Sequence, residues 1–259
     1  MLRALFVVVF LTVYILLLGP PFILHCLLTG SVDWLYFISV GGAKLALRMA
    51  GVRVRREGLE NIPPGVCIFV ANHTSNADPP AVVGAIPRRV ALLAKKEVFR
   101  VPILSRALLL GGFVPVDRSN RAAAMASVEK ALAHLRQGLS YLIFPEGTRS
   151  PDGRLRPFKK GSFVMAIRAG VPVVPVSVVG AHRIMGKGES TLRPGEIVVK
   201  FHPPIETRGV TLEGKDELIA RVHAAVASGL PEDQRPLAGE AVTAPPPSDD
   251  GTDDLNSTG

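Results

Sequence analysis

The chain has 259 residues, enough for one large domain or one domain with appendages. At 47% hydrophobic and 20% charged residues it can bury a core, which excludes a wholly disordered protein. The formal charge is +8 but unevenly placed: seven acids against Arg235 alone leave residues 231–259 at −6, so the first 230 residues carry +14. A body this basic predicts an anionic partner, whether nucleic acid, phospholipid headgroups or a phosphorylated substrate. Cys26 and Cys67, the only cysteines, cannot build a disulfide framework or a metal site and are read as two buried small hydrophobes.

Residues 4–32 form a run of 29 without Asp, Glu, Lys or Arg, long enough for a bilayer-spanning helix of about 20 residues. Pro20-Pro21 follows Gly19 and interrupts the backbone ladder, so a single tilted span competes with a pair of helices broken there that dips into one leaflet. A cleaved signal peptide fits less well, because no small-x-small site follows Leu18 and the apolar character continues to about Ile38. Trp34 and Tyr36 read as interfacial anchors. Lys44, Arg48, Arg53, Arg55 and Arg56 come next, a cluster that suits anionic headgroups. By the positive-inside bias it also puts the remainder in the cytoplasm. The chain therefore reads as membrane-bound.

After a Gly41-Gly42 break, β-rich runs at 52–56, 66–70, 90–94, 113–116, 140–144, 173–179 and 196–201 alternate with helical stretches at 97–110, 121–136, 161–169 and 215–227. Continuous apolar runs such as Cys67-Ile68-Phe69-Val70 suit strands covered on both faces, and the alternation predicts an α/β domain with a largely parallel sheet. Residues 241–259, rich in Pro, Asp, Ser and Gly, read as disordered. The expected organisation is a membrane-embedded helical motif over 1–48, a folded domain over 49–229 and an acidic Pro-rich disordered tail over 230–259.

Four motifs sit at strand ends, where an open α/β sheet places its ligands. Asn72-His73-Thr74-Ser75-Asn76-Ala77-Asp78 follows the strand at 66–70. His73 and Asp78 would be about 140° apart on a continuous helix, so they meet only across a turn, which Asn72, Ser75, Asn76 and Pro79-Pro80 favour. Asp78 could then cap a helix starting at Pro79 and hold one imidazole nitrogen, leaving the other as a base. A solvated histidine beside a helix-capping aspartate is the plainer account of that motif taken alone. Phe144-Pro145-Glu146-Gly147-Thr148-Arg149-Ser150 ends the next apolar strand, with Gly147 permitting close backbone approach and Arg149 a fork for phosphate. Gly112-Phe113-Val114-Pro115-Val116-Asp117-Arg118 ends another strand on an arginine, and Val171-Pro172-Val173-Val174-Pro175-Val176 reads as a buried strand with its entry. Each could be an ordinary turn, ion pair or core strand; the four in this order are hard to assign to chance.

The set resembles the glycerolphospholipid acyltransferase superfamily, and within it the bacterial 1-acyl-sn-glycerol-3-phosphate (lysophosphatidate) acyltransferases, over about residues 58–204. The resemblance implies an α/β fold with a largely parallel mixed sheet flanked by helices, glycerol-3-phosphate acyltransferase-like, behind an N-terminal apolar two-helix membrane motif. It implies that His73 and Asp78 are catalytic, and that Glu146, Gly147, Thr148 and Arg149 bind the glycerol phosphate together with Lys95 and Arg118. In the third motif Pro115 and Val116 replace the family's Phe and Ile, while Asp117 and Arg118 are kept.

The implied reaction moves a fatty acyl group from an acyl thioester, on CoA or acyl carrier protein, to the sn-2 hydroxyl of lysophosphatidate. Phosphatidic acid is the product, made at the cytoplasmic side of a bacterial inner membrane among membrane lipids. His73 would take the hydroxyl proton and Asp78 would orient it; no Gly-x-Ser-x-Gly elbow is present to carry an acyl-enzyme. No cofactor, metal or nucleic acid is expected, the last because neither an aromatic-basic motif nor a helix-turn-helix signal appears. Another lysolipid acceptor and a catalytically inactive lipid-binding protein are the alternatives; the second leaves His73, Asp78 and Glu146 unexplained.

Overall fold

The computed structural model describes residues 2–117, 120–237, 239 and 242–244. The first apolar run is one helix, α1 (Leu2–Thr29), continuous through Pro20 and Pro21. Of the two competing readings, the pair of helices broken at the prolines is overturned: the chain turns at Gly30, whose φ of 71° is left-handed. Proline fixes φ near a helical value, so the pair deletes two donors without forcing a bend. Gly19 beside it allows tight packing across the weakened turn, since a Cβ there would lie 2.5 Å from Ile103 Cγ2. At about 1.5 Å per residue, α1 exceeds the roughly 30 Å hydrocarbon core of a bilayer, and by length and composition it can cross one. Leu5, Phe6, Val8, Leu16 and Leu17 are each more than half exposed, an apolar surface the folded domain leaves uncovered.

The apolar two-helix motif expected here is corrected to one apolar helix: α2 (Asp33–Met49) is amphipathic, and runs through Gly41-Gly42 instead of breaking there. Gly42 is a crossing point: a Cβ would fall 2.5 Å from Tyr14 Cε1, and the Tyr14 hydroxyl donates to Ile38 O at 3.0 Å. Tyr36, expected at a membrane interface, instead accepts the Val90 N–H at 3.1 Å and docks α2 on the sheet.

Seven strands follow: β1 (Val52–Glu57), β2 (Ile68–Ala71), β3 (Val90–Lys95), β4 (Val114–Val116), β5 (Ser140–Ile143), β6 (Val173–Val179) and β7 (Gly195–Phe201). They form one sheet in the order β1-β7-β6-β2-β5-β3-β4. Strands β6, β2, β5, β3 and β4 are parallel, so their C-terminal ends share one edge; β7 is antiparallel to β6 and pairs in parallel with β1. The interleaved helices are α3 (Asp78–Ala85), α4 (Pro102–Leu110), α5 (Arg121–Arg136), α6 (Gly161–Ala169), α7 (Ala181–Ile184) and α8 (Lys215–Ser228). The helix expected over 97–110 is split, with a 3-10 turn at Lys96–Arg100 and α4 starting at Pro102. Pro102 restrains Val101 to an extended conformation (ψ 112°), which cannot continue a helix.

All of β2 and β5 is buried, as continuous apolar strands require. One face of the sheet packs Phe69 and Val176 under Leu47 of α2 and Val82 of α3. The other packs Ile68 and Tyr141 under Leu132 of α5, Phe163 of α6 and Val222 of α8. Cys26 and Cys67 are free and buried.

The disordered tail expected from residue 230 is corrected at its start. Leu230 is 2% exposed within the second core, the Leu155 N–H donates to Gln234 O at 2.8 Å, and Ala244 N–H donates to Phe158 O at 3.0 Å. A single buried leucine and main-chain pairing carry no periodic pattern, so the sequence concealed this packing. The remainder of the predicted tail, residues 245–259, lies outside the described residues.

Candidate active site

His73 and Asp78 sit in the loop between β2 and α3, at the edge where five parallel strands end. Asn72 anchors this loop: its buried amide donates to Val178 O (2.9 Å) and accepts from Val178 N–H (2.7 Å), tying the end of β2 to β6. The turn brings His73 Nδ1 to 2.9 Å from Asp78 Oδ2. That same oxygen accepts the backbone N–H groups of Thr74 (2.6 Å) and Ser75 (2.8 Å). Asp78 was expected to cap a helix beginning at Pro79. Instead it is the first residue of α3 and reaches backward into the turn, while the cap position, Ala77, has no side-chain bond. An ionised carboxylate can only accept, so the imidazole proton lies on Nδ1 and Nε2 is left as a base. The His73 ring stacks on Phe144 at 4.4 Å, and its side chain is 16% exposed.

The Glu146 motif, on the loop after β5, clamps the His73 backbone from behind. Glu146 Oε1 accepts the His73 N–H at 2.7 Å, and Ser150 N–H donates to His73 O at 2.8 Å. Glu146 is only 4% exposed, and its Oε2 is buried without a hydrogen-bond partner. Burial pushes its carboxyl well above the ordinary range, and the neighbouring Asp78 charge adds to this. Glu146, expected at the substrate, is instead buried against the backbone of the His73 loop. Gly147 has φ 76°, so only glycine fits the turn comfortably.

The matching family model, described as Acyltransferase, covers residues 53–179. A 1-acyl-sn-glycerol-3-phosphate acyltransferase of Limnanthes douglasii is 37% identical over 204 residues, 78% of this chain and 72% of that protein. One from Borreliella burgdorferi is 31% identical over 68% of this chain and 70% of its own. The solved structure of the LPA acyltransferase PlsC from Thermotoga maritima superposes with a TM-score of 0.76 at 31% identity, over 88% of this chain and 93% of that one. The chain belongs to the 1-acyl-sn-glycerol-3-phosphate acyltransferase family. The resemblance read from the motifs is thereby established, as is the largely parallel α/β fold.

Around the dyad, this acyltransferase presents several cations at the same edge. Lys95 ends β3 with its side chain 63% exposed, and Arg149 is half-buried without an ion-pair partner among the described residues; Thr148 is exposed. Arg118 lies outside the described residues. Its neighbour Asp117 bonds Lys96 at 2.6 Å, which ties the end of β4 to that of β3. Lys159 belongs to none of the four motifs, yet its chain covers the Gly147 turn: a Cβ on Gly147 would lie 2.9 Å from Lys159 Cε and 3.1 Å from Nζ. Its only signal in the sequence is the Lys159-Lys160 pair before α6. No group of three or more metal-ligating side chains occurs among the described residues. An apolar cavity of about 210 Å³ lies between α2, α3 and α4, lined by Val40, Pro79, Val83, Leu104 and Leu108 among others.

Proposed function

We propose that this acyltransferase transfers a fatty acyl group from an acyl thioester to the sn-2 hydroxyl of 1-acyl-sn-glycerol-3-phosphate, producing phosphatidic acid. The observation that carries the mechanism is Asp78 Oδ2, held by two backbone amides and bonded to His73 Nδ1 at 2.9 Å. An alcohol is a poor nucleophile at neutral pH, so His73 Nε2 takes its proton as the oxygen attacks the thioester carbonyl carbon. The C–S bond breaks, the ester forms, and the leaving thiolate recovers the proton from the imidazolium. Asp78 keeps its charge throughout and stabilises the imidazolium, and no acyl-enzyme intervenes. Lys95, Arg118 and Arg149 grip the acceptor phosphate, with Gly147 and Thr148 shaping the turn, which fixes the hydroxyl beside His73. The apolar cavity lined by Pro79 and Val83 of α3 suits an acyl chain. The exposed apolar surface of α1 supports membrane association, and the basic residues following it favour the cytoplasmic side of a bacterial inner membrane.

The test is purified protein in detergent with labelled acyl-CoA or acyl carrier protein thioester and a panel of lysophospholipids. Lysophosphatidate should be the preferred acceptor. His73→Ala should lower turnover by about 10²–10⁴-fold or more while the melting temperature holds, because His73 sits on a loop. Near-normal turnover in that variant removes His73 from the reaction, and preference for another headgroup overturns the acceptor.

A further inference from the structure

The five cations that follow the apolar segment do not act as one patch. Arg55 is taken up by Glu57 and, at 3.5 Å, by Glu196. Lys44, Arg48, Arg53 and Arg56 instead line a cavity of about 340 Å³ between α2, β1 and α3. No carboxylate lines it, and none of the four cations has an ion-pair partner among the described residues. Four unneutralised cations around one concavity repel each other, a cost that an anion seated among them would remove. The floor is built for close packing: Gly84 of α3 leaves room for the Lys44 stem, since a Cβ there would lie 3.1 Å from Lys44 Cε.

The outer face of α2 shows where such an anion comes from. Trp34, Phe37 and Leu45 are 55%, 66% and 42% exposed, and Gly41 lies between them, so the spacing draws one stripe along the helix. Arg48, three residues beyond Leu45, ends that stripe and also lines the cavity. A helix lying with this stripe in the acyl region carries its terminal cations at headgroup level. We propose that the cavity binds the phosphate of an anionic phospholipid as a resident headgroup site, separate from the acceptor cations at the strand ends. This rests on the membrane association proposed above.

The experiment is binding of the full chain to phosphatidylcholine vesicles with and without phosphatidylglycerol, at fixed ionic strength. Arg53→Gln and Arg55→Gln remove the same charge two residues apart on one strand, and only Arg53 lines the cavity. Wild type should gain affinity with phosphatidylglycerol. Arg53→Gln should lose about fivefold of that gain, and Arg55→Gln should keep it. Gly84→Leu, which fills the cavity without changing the charge, should behave like Arg53→Gln; if it does not fold, the arginine pair still decides. Equal losses in the two arginine variants mean diffuse attraction and overturn the site. Full competition by millimolar inorganic phosphate overturns the lipid source. A raised thioester KM in Arg53→Gln with vesicle binding intact assigns the cavity to the donor's phosphates instead. If wild type binds neither vesicle, the membrane association itself fails, an outcome distinct from equal losses on a bound protein.

Discussion

Glu146 offers the sharpest test of how the site is held. Its Oε1 accepts the His73 N–H at 2.7 Å, while Oε2 is buried without a partner. Glu146→Ala orphans that N–H, at a cost of about 1–3 kcal/mol, and leaves a cavity besides. Glu146→Gln keeps an acceptor of the same shape and should hold the fold. The two states also differ in pH response. Burial raises the folded carboxyl well above its unfolded value of about 4.3, so below that value both states are protonated and Glu146 contributes its full stability. As pH rises, the unfolded chain ionises first. Wild type then loses stability with a slope of up to about 1.4 kcal/mol per pH unit until the folded carboxyl titrates too. Gln cannot ionise, so its stability relative to wild type should grow across that window and then level. Chemical denaturation of both proteins from pH 4 upward reads this directly. In the acyl-transfer assay, Glu146→Ala should lower kcat by about 10²-fold through a displaced His73, with the lysophosphatidate KM little changed. The reasoning fails if Glu146→Gln is as unstable as Glu146→Ala, or if either variant changes only the lysophosphatidate KM.

Asp78→Asn removes the charge that two amides and the imidazole share, and its amide can donate to Nδ1, reversing the tautomer; turnover should drop by about 10⁴-fold in the same assay with lysophosphatidate KM near normal. Arg149→Lys should raise the lysophosphatidate KM and Arg149→Ala should raise it further, by roughly 10- to 150-fold for a lost charge-assisted bond, leaving the thioester KM nearly unchanged. A rise confined to the thioester KM would place Arg149 at the donor. Deleting residues 245–259 should leave activity and melting temperature unchanged, whereas deletion from Leu230 onward strips a fully packed side chain and should cost about 2–5 kcal/mol in denaturant titrations.

The sequence by itself determined the strands, because continuous apolar runs such as Ile68-Phe69-Val70 have few places to go except a sheet covered on both faces. It also determined the pairing of His73 with Asp78 and the acyltransferase family, since His73, Asp78 and the Glu146 motif are local spellings at strand ends. What it could not hold was anything settled by a partner distant in the chain. Pro20-Pro21 looked like a break, yet Ile103 packs on Gly19 and the helix continues; Gly42 looked like another, yet it makes room for the ring of Tyr14. Asp78 looked like a helix cap until the turn aimed two amides at its carboxylate. Glu146 looked like a substrate ligand because the resemblance implied that its motif binds glycerol phosphate, but the group its carboxylate meets is the N–H of His73, 73 residues earlier. The basic cluster read as one patch, and only the packing of α2 against α3 and β1 divided Arg55 from the four cations around a cavity. Local propensity and periodicity are written residue by residue; the direction in which a polar side chain bonds is chosen by whatever donor or acceptor the tertiary fold brings within about 3 Å.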